Sequence, residues 1–406
     1  MSKDPPYIEC EGGVTAARGF RAAGLLCGIR KQKKDLALIT SDRPAVASAV
    51  FTQNAIKAAP LEVTMEQLDR STRISAVLVN SGNANACTGQ QGLADAWAMV
   101  RAVASSLHLP ESQILVSSTG VIGQYLPMEK VLAGIDQIAP LLGTNGHRDA
   151  AEAIMTTDTF RKEAAVQIPI GDATVTIGAM AKGSGMIAPN MATMLGFITT
   201  DAVIAQDLLA EAFVRANNRS FNRITVDGDM STNDMALILA NGRAANVPIE
   251  RGSPDFALFS EALEHLMITL AKMIARDGEG ATKLIEVSVT GAHSSAEALQ
   301  AARAVAGSNL VKTAIHGADA NWGRIMAALG YSGVPLKGEE VEIAFNGVPI
   351  LGKQYTILLN EAMAKEELAK ETIVVSVNLN GGSFSEKFWT CDLTKDYVHI
   401  NASYRS

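Results

Sequence analysis

Residues 182–201 read KGSGMIAPNMATMLGFITTD, and the two halves of this stretch have different character. Gly183, Gly185 and Pro189 favour turns, whereas the run MLGFITT (194–200) is apolar and β-branched and predicts a strand. The junction is Ala192-Thr193, a small residue followed by a hydroxyl. A threonine at the head of a strand is ordinarily structural. Here the glycine-rich approach makes a strained turn at the bond sterically feasible. A threonine hydroxyl is protonated at neutral pH and needs a base to attack anything. Cleavage of the Ala192-Thr193 bond would supply one, because a free α-amine has a pKa of about 7.7–8.0. No local Ser/His/Asp cluster elsewhere in the sequence offers the same service.

Working outward, two strands (163–169 and 173–180) lead into this stretch, and a helix at about 205–217 follows it. Further upstream, strand-like runs fall at 35–40, 45–52 and 76–79. The last ends in NSGNAN (80–85), ahead of a helix over roughly 88–107 with apolar residues at helical spacing. ILVSS (114–118) predicts a strand stopping at Thr119-Gly120, and 126–160 reads as helical. Strand ends that run into small-residue loops before helices present backbone N–H groups that can hold an oxyanion. Downstream, RITVDGDMSTNDMALILA (223–240) reads as strand, acidic turn and strand, and a helix follows at 255–276. The C-terminal third mixes strands at 283–289, 341–345, 372–378 and 387–391 with helices at 295–306 and 361–370, around a loop at 316–325. This interleaving predicts layered α/β architecture.

Totals narrow the function. The 406-residue chain is 48% hydrophobic and 19% charged, which is globular, and long enough for about two domains. Its net charge of −7 argues against nucleic acid and against an anionic membrane surface. No 18-residue apolar run and no apolar N-terminal h-region appear, so a cytoplasmic protein is expected. Four scattered cysteines form no C-x-x-C pair, and the six histidines form no H-E-x-x-H, so no protein-built metal site is expected. Asp227, Asp229 and Asp234 lack the closing Glu of a calcium loop, and GEGATK (278–283) lacks the full phosphate-loop pattern. His316 and Trp322 are expected to shape their loop.

The stretch at 182–201 resembles the self-processing segment of the ornithine acetyltransferase (glutamate N-acetyltransferase) family of arginine biosynthesis. The resemblance covers essentially the whole chain. It extends to GVTAARGFRAAG (13–24), FTQNAIKAAP (51–60), NSGNANACTG (80–89), SSTGVIG (117–123), SFNRITVDGDMSTND (220–234), ARDGEGATK (275–283), GADANWGRI (317–325) and the terminal INASYRS. Their joint order makes the match specific. The chain departs from the family near Ala17, where a proline is usual, at Ser403, where an acidic residue is usual, and at Ser406, which replaces threonine.

The resemblance implies a fold of sheets between helical layers, an αββα-type sandwich with the nucleophile at a strand start, and a smaller C-terminal α/β part. It implies self-cleavage before Thr193 into fragments 1–192 and 193–406, associated as a heterotetramer of two each. Thr193 is then the nucleophile and Thr119 and Gly120 form the oxyanion hole. Thr156, Lys182, Thr193, Glu279, Asn401 and Ser406 bind substrate. The reaction passes acetyl from N-acetylornithine to glutamate through an acetyl-threonine. It needs no cofactor, although some family members also take acetyl-CoA as a co-substrate. Lys182 suits a substrate carboxylate, Glu279 the ornithine amine, and Thr156, Asn401 and Ser406 neutral hydrogen bonds. Two other readings remain at this level: a self-processing amide hydrolase or aminopeptidase with water as acceptor, and a non-enzymatic amino-acid-binding protein with an intact chain.

Overall fold

The computed structural model describes residues 6–188 and 194–403. Ala192, Thr193 and Ser406 lie outside the described residues. The chain forms two compact units. The first is Met1–Gly183, Asn190–Asn222 and Met230–Leu270; the second is Ser184–Pro189, Arg223–Asp229 and Ala271–Ser406.

The first unit contains, in chain order, β1 (Ile8–Cys10), β2 (Phe20–Leu25), β3 (Leu36–Phe51), α1 (Ala59–Arg70), β4 (Arg73–Asn83), α2 (Gly89–Leu107), β5 (Ile114–Val121), α3 (Met128–Ile138), α4 (His147–Ala153), β6 (Lys162–Ile170), β7 (Ala173–Lys182), β8 (Leu195–Thr200), α5 (Gln206–Arg219), β9 (Met235–Ala240) and most of α6 (Pro254–Arg276). Its sheet has the order β1-β6-β7-β8-β9-β3-β4-β5, with β2 also on β3. One strand turns this sheet back on itself. The first half of β3 pairs with β2 and β4, and its second half pairs with β9, with a register shift between Thr40 and Ala45. The corner, Asp42-Arg43-Pro44, is exposed, which is where a residue lacking an N–H donor is tolerated. The runs at 35–40 and 45–52 are therefore one bent strand.

Alternation along β4 shows how the layers form. Val77 and Val79 join an inner cluster with Leu115, Leu195, Phe197 and Leu237, between the two halves of the sheet. Ala76 and Leu78 face the other way, into a cluster with Met99 and Val103 of α2 and Val131 of α3. A strand buried on both faces must be apolar at every position, hence AVLV. Helix α5 packs on β3 and buries Leu209 and Phe213, and α6 buries Phe259 and Leu263. This is the expected layered α/β sandwich. Fully burying one such side chain stabilises by about 1.5–3 kcal/mol. Truncating Leu78 to alanine would cost about 2–5 kcal/mol.

The second unit holds the end of α6, then β10 (Leu284–Ala292), α7 (Ser295–Ala306), α8 (Asn309–His316), α9 (Trp322–Gly330), β11 (Glu342–Phe345), β12 (Val348–Gly352), β13 (Thr356–Ile357), α10 (Glu361–Leu368), β14 (Thr372–Asn378), β15 (Phe384–Cys391) and α11 (Lys395–Ala402). Its sheet runs β13-β12-β11-β14-β10-β15 and is the expected smaller α/β part. Helix α7 is capped by Ser294, which accepts from the Glu297 N–H, while the Glu297 side chain accepts from the His293 N–H ahead of the cap.

Four local expectations need correction. β5 does not stop at Thr119-Gly120 but runs through them to Val121. The helical region 126–160 is two helices that end at Ala153, leaving Thr156 in a loop. No strand forms at 223–226, where Ile224 makes only an isolated bridge to Trp389. The loop expected at 316–325 gives way at Trp322 to α9, because the Asn321 side chain accepts from the Arg324 N–H and caps it. Among the described residues no helix is long and apolar enough to cross a membrane.

Candidate active site

The first unit gathers Thr119, Gly120, Thr156 and Lys182. Gly120 shows why the sequence kinks here. It has φ 135°, a region that side chains rarely adopt, and an added Cβ would come within 2.5 Å of the Asn83 nitrogen. Only glycine lets β5 press onto the end of β4, where the pairing slips around Asn83. Thr119 is buried beside it, and Lys182 Nζ donates to Thr119 Oγ1 at 3.4 Å.

Lys182 ends β7 and is 2% exposed. A buried ammonium needs counter-charge, and Asp158 supplies it. Asp158 accepts from Lys162 Nζ at 2.7 Å, from the Gly183 N–H at 2.7 Å and from the Thr156 N–H at 2.9 Å. Burial alone would raise its pKa. The Lys162 and Lys182 ammonium groups and the Gly183 N–H overcome burial and hold the carboxyl well below the usual aspartate range. Arg30 completes the loop by donating to the Met155 and Thr156 carbonyls. Thus Thr156, Lys182 and Thr119 are joined through one buried aspartate that the sequence reading placed only at a helix end.

β8 starts at Leu195, opposite Lys182 on β7 and Met235 on β9. Just ahead of it, the Met194 N–H donates to Asp234 Oδ1 at 3.2 Å. Asp234 is fully buried. Burial pushes its pKa well up, opposed by the field of Lys182 and the Met194 N–H.

The second unit gathers Glu279 and Asn401. Glu279 is 6% exposed, and Asn401 Nδ2 donates to Glu279 Oε2 at 2.7 Å. An added Cβ on Gly185 would stand 2.5 Å from Glu279 Oε1, so glycine is required beside this carboxylate. Asn401 rides on α11. Thr394 caps that helix and also donates to the Gly280 carbonyl at 2.8 Å. Tyr397 of the same helix donates to Asp227 Oδ2 at 3.3 Å, and Asp227 in turn accepts from the Met186 and Ile187 N–H groups. Burial, and then the charges of Asp227, Glu279 and Asp229, push the Tyr397 hydroxyl pKa up, so it stays a donor.

Asp227 is thus a backbone clasp within the expected acidic turn, and Asp234 stands apart from it. Among the described residues no group of His, Cys, Asp and Glu could hold a metal ion. His316 bonds Asp392 at 2.8 Å, which ties α8 to the end of β15. A separate cleft of about 790 Å³, lined by Cys10, His147, Arg148 and Glu163, contains none of the predicted residues. Its His147 and Glu163 pair at 2.7 Å.

Sequence reasoning missed Asp158 and Tyr397, and read Asp234 only as part of an acidic turn. The spacing of Asp158 and Lys162, four residues apart, was the one available signal for the first.

Residues 21–406 match the ArgJ family. The arginine biosynthesis bifunctional protein ArgJ of Symbiobacterium thermophilum is 53% identical over 398 residues, covering 97% of this chain and 99% of that protein. The protein of the same name from Bacillus subtilis (strain 168) is 48% identical over 406 residues, covering 100% and 99%. A crystal structure of the Bacillus halodurans arginine biosynthesis bifunctional protein argJ is similar at 45% identity, with TM-score 0.44, over 46% of this chain and 98% of that chain. With a family match and near-full-length identities of this order, the chain belongs to the ArgJ family.

Proposed function

We infer that this chain is an acetyltransferase of arginine biosynthesis that moves acetyl from N-acetylornithine to glutamate, after cutting itself between Ala192 and Thr193. Thr193 Oγ attacks the acetyl carbonyl while the Thr193 α-amine takes the hydroxyl proton. The C–N bond then breaks, that proton leaves on the ornithine nitrogen, and an acetyl-threonine ester remains. The glutamate amine attacks the ester and departs as N-acetylglutamate, returning the proton to Thr193. Both tetrahedral intermediates place charge on one oxygen, and Thr119 and Gly120 are assigned to it. Thr156 and Lys182 receive the carboxylate end of the substrate. Glu279 takes the ornithine amine, with Asn401 and Ser406 contributing neutral hydrogen bonds.

The observation that carries this reading is the strand register. It sets Lys182, with Thr119 at 3.4 Å, opposite the first residue of β8, two residues after Thr193. The reading also assigns fragments 1–192 and 193–406 to a heterotetramer in the cytoplasm, with no resident cofactor. A denaturing gel tests cleavage: wild type should give two bands, and Thr193→Ala one full-length band with activity reduced at least ~10³-fold. A wild-type chain that stays intact yet transfers acetyl would overturn it. Native mass spectrometry tests the tetramer.

A second activity is proposed from the relatives' printed name, which calls them bifunctional. It is acetylation of glutamate by acetyl-CoA. An assay with acetyl-CoA as the only donor decides it.

A further inference from the structure

Arg30 lies half-buried in the loop between β2 and β3. Asp35, fully buried, clasps that loop. Its carboxylate accepts from the Cys27 N–H at 2.6 Å, the Gly28 N–H at 3.1 Å and the Arg30 N–H at 2.7 Å. The Asp35 carbonyl accepts from the Ser81 N–H at 2.9 Å, which fastens the loop to β4. Ser81 Oγ in turn donates to the Ala153 carbonyl at 2.7 Å, at the end of α4. The backbone that carries Arg30 is therefore tied down before its side chain makes any contact.

That side chain touches two parts of the candidate site. Its guanidinium donates from Nη1 to the Met155 carbonyl at 2.8 Å and from Nη2 to the Thr156 carbonyl at 3.3 Å. Asp158 holds the Thr156 N–H, so Thr156 is gripped at both its N–H and its carbonyl. The aliphatic stem lies on Gly82, where an added Cβ would stand 2.7 Å from Arg30 Cγ and 3.3 Å from Cδ. Gly82 pairs with Gly120 across β4 and β5, and a Cβ on Gly120 would stand 2.3 Å from the Gly82 carbonyl carbon. Arg30 stem, Gly82 and Gly120 thus touch in series with no Cβ at either glycine. Close-packed atoms pass a displacement on to their neighbours. Arginine suits both tasks, since it combines a planar fork of donors with a long apolar stem.

We propose that Arg30 is a positioning residue with two separable parts: its fork sets the Thr156 loop, and its stem backs the oxyanion strand through Gly82. The proposal rests on the roles assigned above to Thr156 and Gly120. Arg30 exchanges no proton and touches neither substrate. It keeps the binding loop and the oxyanion position in register with each other.

Two substitutions separate the parts. Arg30→Met keeps a stem over Gly82 and removes the fork. We expect the KM for N-acetylornithine to rise about tenfold, the low end for lost hydrogen bonds to a charged group, with kcat within about twofold. Arg30→Ala removes both parts, so kcat should also fall about tenfold or more as the oxyanion donors move off target. Added guanidinium ion should refill the fork position in Arg30→Ala, lowering its KM and leaving its kcat low. A merely structural arginine would lower stability without this split. Wild-type KM in Arg30→Met, or an equal loss of kcat in both variants, overturns the proposal.

Hydrogen exchange reads the same contacts without turnover. Should wild type transfer no acetyl, the function assigned above fails, and exchange still decides the role of Arg30. In Arg30→Met the Thr156 N–H should exchange faster while the β4–β5 ladder is unchanged; in Arg30→Ala that ladder should loosen too. Unchanged exchange at Thr156 overturns the proposal. Should Arg30→Met not fold, Arg30→Lys is measured in its place, since it keeps stem and charge but offers one ammonium to two carbonyls. A roughly threefold rise in KM is expected there, and wild-type KM with unchanged exchange overturns the proposal.

Discussion

The two groups of residues assigned to substrate in the proposed function are built on opposite plans. Around Asp158, in the first unit, charges hold charges: Lys162 and Asp158 are both 0% exposed in their side chains, and Lys182 is 2% exposed. Around Glu279, in the second unit, neutral donors and backbone do the holding. Asn401 meets the carboxylate, Tyr397 meets Asp227, and Gly185 leaves room. Asn401 and Tyr397 both ride on α11, a helix with no buried residue. A reaction in which one acetyl carbonyl is always attacked at the same atom suits the first plan. In the second plan a carboxylate is held by a neutral amide, and its charge favours the cationic end of ornithine over the anionic end of glutamate.

The difference can be broken most forcefully at Asp158. Asp158→Asn removes the negative charge that two buried lysines face, and disrupting a buried ion pair costs about 3–5 kcal/mol. The sign with pH follows from the lowered pKa. Stabilisation by the carboxylate is complete above the ordinary aspartate value of about 3.9 and is lost as pH falls through the lower folded value. Urea unfolding should therefore show the full deficit at pH 7 and a narrowing one in strong acid. A deficit independent of pH would mean that the lysines do not depend on this charge.

Gly120→Ala comes next. Its Cβ would displace the backbone at Asn83, so the oxyanion donors should move off target. We expect kcat to fall about 10²–10³-fold with little change in KM, the size seen when one oxyanion donor is lost. Steady-state kinetics of the cleaved enzyme provide the check, and a rise in KM alone would show that this glycine serves binding.

The smallest effect is expected at Glu279. Glu279→Gln keeps the contact with Asn401 but removes the charge. The KM for N-acetylornithine should rise about tenfold, the low end for a hydrogen bond to a charged group. The KM for glutamate should not rise. Equal changes for both substrates would erase the contrast between the two plans.

The elements that sequence reading located well are those fixed by local periodicity. The helix expected over 88–107 is Gly89–Leu107, and the strand expected at 173–180 is Ala173–Lys182. Glycine chemistry at 119–120 was legible in kind, since a strand pressed against another backbone needs a residue without Cβ. What stayed hidden was set by distance along the chain. Asp158 acquires its role from Gly183 and Lys182, and Glu279 from an asparagine 122 residues away. VDGDMSTND looked like a single acidic turn. Its first aspartate clasps the backbone at 186–187, while its last sits buried against Met194, and no local pattern separates those two fates. Trp322 was hidden differently, since its helix begins with an asparagine cap inside a composition that otherwise reads as loop.

The sheet order β7-β8-β9-β3 has a consequence for manufacture. β8 and β9 follow residue 193, yet they are flanked on both sides by strands that precede it. A cut at Ala192-Thr193 therefore yields two polypeptides woven through one another, each supplying rungs the other needs. Neither could be withdrawn without tearing two hydrogen-bonded ladders at once. Such a pair is naturally assembled as one gene product and severed afterwards, so that the scission is an irreversible finishing step on an article already shaped.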